Sequence, residues 1–144
     1  MKTVNDILAE KGTDIWSVTP DDKVFEALKL MAEKNVGAVL VLDKGEIKGI
    51  FSERDYARKV ALEGKSSREL LIKEVMSPKV LFVTPDKSCE DCMALMIGKR
   101  IRHLPVLEEE KLKGIISIGD VVKAVLDHKE NTIDQLEQYI TNRR

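Results

Sequence analysis

The sequence predicts an α/β protein of the α+β kind, built from two related halves that each read strand, helix, strand, strand, helix. Three observations predict it. The chain repeats itself at a shift of 65 residues, with Val18-Thr19-Pro20-Asp21 returning as Val83-Thr84-Pro85-Asp86 and Lys48-Gly49-Ile50 as Lys113-Gly114-Ile115. No gap is needed between residues 18 and 60, so both copies keep the same loop lengths. Within each copy, stretches with helical apolar spacing alternate with short, nearly continuous apolar runs.

Thr19-Pro20 and Thr84-Pro85 read as helix starts, Thr as N-cap and Pro at the first helical position, where its missing N–H costs nothing. The helices expected over 20–34 and 85–99 carry Val24, Ala27, Leu28 and Met31 in one copy and Cys89, Cys92, Met93 and Met96 in the other. That spacing makes one buried stripe on each. Val36 to Leu42 is valine-rich and almost wholly apolar, as a strand covered on both faces should be, and Leu104 to Leu107 is its counterpart. Asp43-Lys44-Gly45-Glu46 and Glu108-Glu109-Glu110-Lys111 are turn material before strands at 47–51 and 112–116, and only the first turn has a glycine. Second helices follow near 53–62 and 118–127.

Gly64-Lys65-Ser66-Ser67 links the copies and leads into a short helix over 70–76, with Val4 to Ala9 in the same place before copy one. This places copy one with its leading helix at 1–65, copy two at 66–128, and a last amphipathic helix at 129–144, capped by Asn131-Thr132 with Ile133, Leu136 and Ile140 on one face.

Bulk properties narrow the function. The 144 residues carry 24 basic and 25 acidic side chains, a balance that argues against a non-specific nucleic-acid binder. No apolar run is long enough to span a membrane or serve as an export signal, so a cytoplasmic protein is expected. Cys89 and Cys92 lie at i, i+3 on a helix, but their copy-one equivalents are Val24 and Ala27, so they read as core and not as half a metal site. No nucleophile stands beside a paired base, and a catalytic role is not expected.

The chemistry concentrates in Gly49-Ile50-Phe51-Ser52-Glu53-Arg54-Asp55 and its echo Gly114-Ile115-Ile116-Ser117-Ile118-Gly119-Asp120. In each, a strand ends at a serine where a helix begins, so exposed N–H groups and the positive end of the helix dipole meet. An anion could bind there, and a carboxylate one turn in could accept hydrogen bonds from a sugar diol. Ser-x-x-Asp is equally close to an ordinary capping box, which satisfies the same N–H groups with no ligand.

Over residues 4–128 the pattern resembles a tandem pair of cystathionine-β-synthase-type (CBS) domains, the Bateman module. The glycine, apolar, Ser/Thr, two variable residues, Asp motif matches at 49–55 and 114–120. The Val-Thr-Pro openings and Arg102-His103-Leu104-Pro105-Val106 are similar too. The resemblance implies two β-α-β-β-α units packed about a pseudo-twofold axis, forming clefts for adenosine-containing ligands such as AMP, ADP, ATP, NAD(H) or S-adenosylmethionine.

Carried over to this chain, it puts Ser117 and Asp120 on the ribose, Arg102 and His103 on the phosphate side, and Val36, Gly37, Ile115 and Trp16 against the adenine. The second cleft, with Ser52 and Asp55, has uncharged Gly37 and Ala38 at the phosphate-side positions, so the Asp120 cleft is favoured. Arg54 is the candidate for a second phosphate. Strict strand alternation would send Arg102 and His103 to opposite faces unless the strand begins or bulges between them.

The expected function is a stand-alone regulatory or energy-sensing module that binds AMP or NAD(H), with ADP and ATP as further candidates. It would associate as a homodimer and act on an unnamed downstream protein. The alternative is a ligand-free interaction module whose Ser-x-x-Asp units are caps alone; nucleic-acid binding is a weaker alternative.

Overall fold

The computed structural model describes residues 2–128; the helix expected over 129–144 lies outside the described residues. The chain divides into two compact units, one joining the segment up to Asp14 to the segment from Leu81 onward, the other Ile15–Val80.

In the second of these, β1 (Ser17–Val18) pairs in parallel with β2 (Ala38–Asp43), which pairs antiparallel with β3 (Glu46–Ser52). Helix α2 (Val24–Lys34) lies between β1 and β2 in sequence. Helix α3 (Glu53–Tyr56) follows β3 and widens into a π-helical turn over Ala57–Ala61. A short helix α4 (Ile72–Val75) completes the unit. Ala38 to Val41 are all buried, as a strand covered on both faces requires. Phe51, Val60 and Ile72 join the α2 stripe of Val24, Ala27 and Met31 in the core.

The other unit contains α1 (Val4–Lys11), α5 (Cys89–Lys99), the hairpin β4 (His103–Glu108) and β5 (Lys111–Ser117), and α6 (Ile118–His128). Its counterpart of β1 is reduced to a parallel bridge from Val83 to Val106. Val4, Ile7 and Leu8 of α1 pack with Cys89, Cys92, Met96, Leu104 and Ile116. The helix leading copy one thus packs with copy two, while α4, which leads copy two, packs with copy one. Matching bonds mark the exchange: Val4 N–H reaches the Lys87 carbonyl and Cys89 N–H that of Lys2, as Ile72 N–H reaches Asp22 and Val24 N–H reaches Leu70.

The helix starts differ from expectation. α2 and α5 begin at Val24 and Cys89, four residues beyond the Thr-Pro pairs, with Lys23 and Ser88 as N-caps. Thr19-Pro20 instead forms a turn closed by Thr19 N–H to Asp22 Oδ2 at 2.8 Å, a side-chain bond that imitates a capping box. Ser88 Oγ accepts from Asp91 N–H and is the true cap of α5.

Both hairpins close with two consecutive residues at positive φ, Lys44-Gly45 (54° and 81°) and Glu109-Glu110 (51° and 66°). This is the turn whose twist matches the strands, and glycine relieves it only in copy one.

Candidate functional site

Strand β4 begins at His103, directly after Arg102. Arg102 is therefore free of the alternation that would send it opposite His103, since α5 ends at Lys99 and Arg100 turns the chain in the left-handed conformation. His103 pairs in register with Ser117, the last residue of β5. The Arg102 carbonyl accepts the N–H of Ile118 at 2.8 Å, tying the start of α6 to the start of β4. Gly37 does the same for Glu53 at 3.0 Å.

Both motif serines cap their helices. Asp120 N–H donates to Ser117 Oγ at 3.1 Å and Ser117 N–H returns to Asp120 Oδ2 at 2.8 Å. Asp55 N–H donates to Ser52 Oγ at 3.2 Å and Ser52 N–H to Asp55 Oδ2 at 3.0 Å. Since the cap and the preceding carbonyl take two of the N–H groups at each helix start, an anion would rely mainly on basic side chains.

Beyond the shared cap the two carboxylates part company. Asp55 is 9% exposed and also accepts from Ser77 Oγ at 3.0 Å, Ser52 Oγ at 3.1 Å and the Lys59 ammonium at 3.1 Å. Lys59, in the π-helical turn, also donates to the Val75 carbonyl at 3.1 Å. Asp55 thus fastens the segment after α4 to β3 and α3.

The Asp120 side chain is 26% exposed and faces Lys11 of α1, whose ammonium lies 2.7 Å from Oδ2 and 3.0 Å from the Ile115 carbonyl. Burial pushes the Asp120 carboxyl up, but the bonds from Lys11 and Ser117 outweigh it and hold the acid below its ordinary value. The sequence does not indicate Lys11, because α1 adjoins copy one along the chain.

The structure brings His103, Ser117, Asp120 and Ile115 together with Lys11, and Arg102 adjoins them. Ser52 and Asp55 sit together in the other unit, where Arg54 is exposed. Val36 and Gly37 line a depression of about 450 Å³ with Met31, Glu53 and Tyr56. Trp16 packs on the same core cluster as Val36, with the Lys34 ammonium 4.4 Å from its ring centroid.

Burial lowers the His103 pKa, and the nearby positive charges of Lys11 and Arg102 lower it further against the opposing pull of Asp120. The ring is therefore neutral at pH 7, which leaves Arg102 and Lys11 as the cations of this cluster. Below the unfolded value near 6.5, the unfolded chain binds a proton that the folded His103 resists, so stability falls as pH drops through that window. Urea unfolding at pH 7.5 and 5.5 should show this loss in the wild type and a smaller one in His103→Gln. Equal losses would refute the assignment.

The cysteines behave as core. Both are buried, and burial raises the Cys89 thiol and pushes Cys92 up to about 11, away from the reactive thiolate. Among the described residues, no group of three or more His, Cys, Asp or Glu side chains converges as metal ligands would. No helix among them is long and apolar enough to cross a membrane.

The CBS domain family profile matches residues 4–62 and 72–127, one match per sequence copy. The chain belongs to the CBS-domain family. Its two matches make it a tandem CBS pair, a Bateman module. It is 38% identical to the mitochondrial CBS domain-containing protein CBSX3 of Arabidopsis thaliana, over 96% of this chain and 71% of that one. A solved CBS-domain protein from Burkholderia ambifaria is 51% identical with a TM-score of 0.86, covering 90% of this chain and 97% of its own. The CBS domain pair of protein MJ0100, solved with 5′-methylthioadenosine and S-adenosyl-L-methionine, shares the fold at 22% identity and a TM-score of 0.76 over 90% of this chain and 99% of that one.

Proposed function

We propose that this CBS pair is a regulatory module that binds an adenine nucleotide at the Asp120 motif, with AMP or NAD(H) as first candidates and ADP or ATP behind them. The observation that carries the reading is the contrast between the two repeated aspartates. Asp55 is enclosed by bonds to its own unit, whereas Asp120 is a partly exposed carboxylate beside Arg102, His103 and Lys11. In this reading Asp120 accepts from the ribose hydroxyls, Ser117 lies at the ribose-phosphate junction, and Arg102 faces the phosphate. His103 contributes a neutral hydrogen-bonding ring, and Ile115 supports the base. That the fold can hold adenosine-bearing ligands is seen in the MJ0100 pair. The module works in the cytoplasm as a homodimer and passes its state to a downstream protein, ligand binding favouring one arrangement over another.

The completeness of both caps favours one rival, an interaction module that needs no ligand. Thermal melting separates the two. A nucleotide at a hundred times its Kd stabilises by about 2.7 kcal/mol, so melting should rise with AMP, ADP, ATP or NADH but not with inorganic phosphate, and Asp120→Asn should abolish the rise. No shift with any nucleotide would establish the rival.

A further inference from the structure

Lys11 stands at the end of α1, yet its ammonium closes on Asp120 Oδ2 at 2.7 Å across 109 positions of sequence and donates to the Ile115 carbonyl at 3.0 Å. One turn earlier Leu8 lies against Gly114, so α1 meets β5 beside the motif. Ser117 N–H is a second donor to the same Oδ2, at 2.8 Å. An oxygen with two such donors has its lone pairs committed, and a vicinal diol that gives one hydroxyl to each carboxylate oxygen must displace one of them. The Ser117 amide is fixed by the backbone of the cap. The ammonium rides on a flexible four-carbon stem that is 35% exposed, and it can leave for water.

Asp55 offers no such exchange, because Lys59 and Ser77 occupy its Oδ1 and Ser52 its Oδ2 in a nearly buried setting. We propose that Lys11 is the exchangeable counter-ion of Asp120: a ligand's vicinal hydroxyls and the Lys11 ammonium contend for the same carboxylate oxygen, and occupancy frees the end of α1. The inference rests on reading Asp120 as the ribose carboxylate. It makes Lys11 a determinant of affinity and α1 the element that registers binding.

The test compares adenosine with 2′,3′-dideoxyadenosine by isothermal titration into wild type, Lys11→Met and Lys11→Arg. Both ligands are uncharged, which keeps the lysine's long-range pull on a phosphate out of the comparison. Lys11→Met should raise the preference for adenosine about tenfold, the weight of one charge-assisted hydrogen bond, and Lys11→Arg should stay near wild type. In the wild type, adenosine should also speed acetylation of Lys11, read by mass spectrometry, while the dideoxy compound should not.

If the wild type prefers adenosine but Lys11→Met leaves that preference unchanged or lowers it, the counter-ion role falls and the ribose reading stands. If the wild type binds the two compounds equally, or binds neither, the ribose reading falls and takes the inference with it.

Discussion

Asp55→Ala should lower the unfolding free energy by about 3 kcal/mol, whereas Asp120→Ala should cost about 1 kcal/mol. Asp55 is 9% exposed, and its removal leaves the Ser52 amide and the Ser77 hydroxyl without their acceptor in a place water barely reaches. Lys59 is 42% exposed at its side chain and turns to water, which keeps the total near the lower end of what a broken buried ion pair costs. Asp120 and Lys11 are 26% and 35% exposed, so both partners rehydrate and the principal loss is the helix cap. Urea unfolding of the two variants side by side measures the difference. Equal costs would erase the contrast between an enclosed aspartate and an accessible one, on which the proposed choice of site depends.

Gly49→Ala is the second large effect, at about 2 to 3 kcal/mol, against about 1 kcal/mol or less for the equivalent Gly114→Ala. A Cβ on Gly49 would lie 2.8 Å from the Ser77 carbonyl oxygen and 2.8 Å from Met76 Sδ. That carbonyl cannot retreat, because it accepts Ile50 N–H at 3.0 Å while Ser77 N–H donates to Ile50 at 2.9 Å. A Cβ on Gly114 meets Leu8 Cδ2 at 2.7 Å, the far end of a side chain that can rotate aside. Chemical unfolding of both alanine variants checks the order, and a Gly114 variant as damaged as the Gly49 variant would overturn it. The first residue of the repeated motif is thus glycine because another segment crosses the strand there.

The strands were legible because identical loop lengths and a valine-rich run leave few other placements, and β2 and β4 fall within two residues of expectation. The starts of α2 and α5 lie later than the Thr-Pro pairs suggest because each pair opens a turn that is not yet helix, closed by the N–H of Asp22 on the Thr19 carbonyl and of Lys87 on the Thr84 carbonyl. Arg102 and His103 are in conflict only if residues 99–103 form one strand. A left-handed Arg100 removes it, a conformation that the sequence advertises with asparagine at the equivalent position 35.

Lys11 was illegible because the pairing depends on which copy α1 joins. Adjacency along the chain pointed to copy one. The cue that survives is the spacing of Ile7, Leu8 and Lys11, which gives α1 an apolar face ending in a cation but does not say where that face goes. The caps themselves are legible in the sequence, since each depends on a serine and an aspartate three residues apart.

The exchange of leading helices also orders events during synthesis. Ile15–Val80 is one unbroken stretch that contains its own α4, so it can close as soon as it leaves the ribosome. The unit holding Asp120 cannot, because α1 precedes Ile15–Val80 in the chain and the sheet it covers follows it. Until β4 and β5 appear, Val4, Ile7 and Leu8 have no core to enter and Lys11 has no carboxylate to meet. The growing chain must therefore carry α1 unburied while Ile15–Val80 is completed, an interval in which that apolar face is open to chaperones or to another nascent copy.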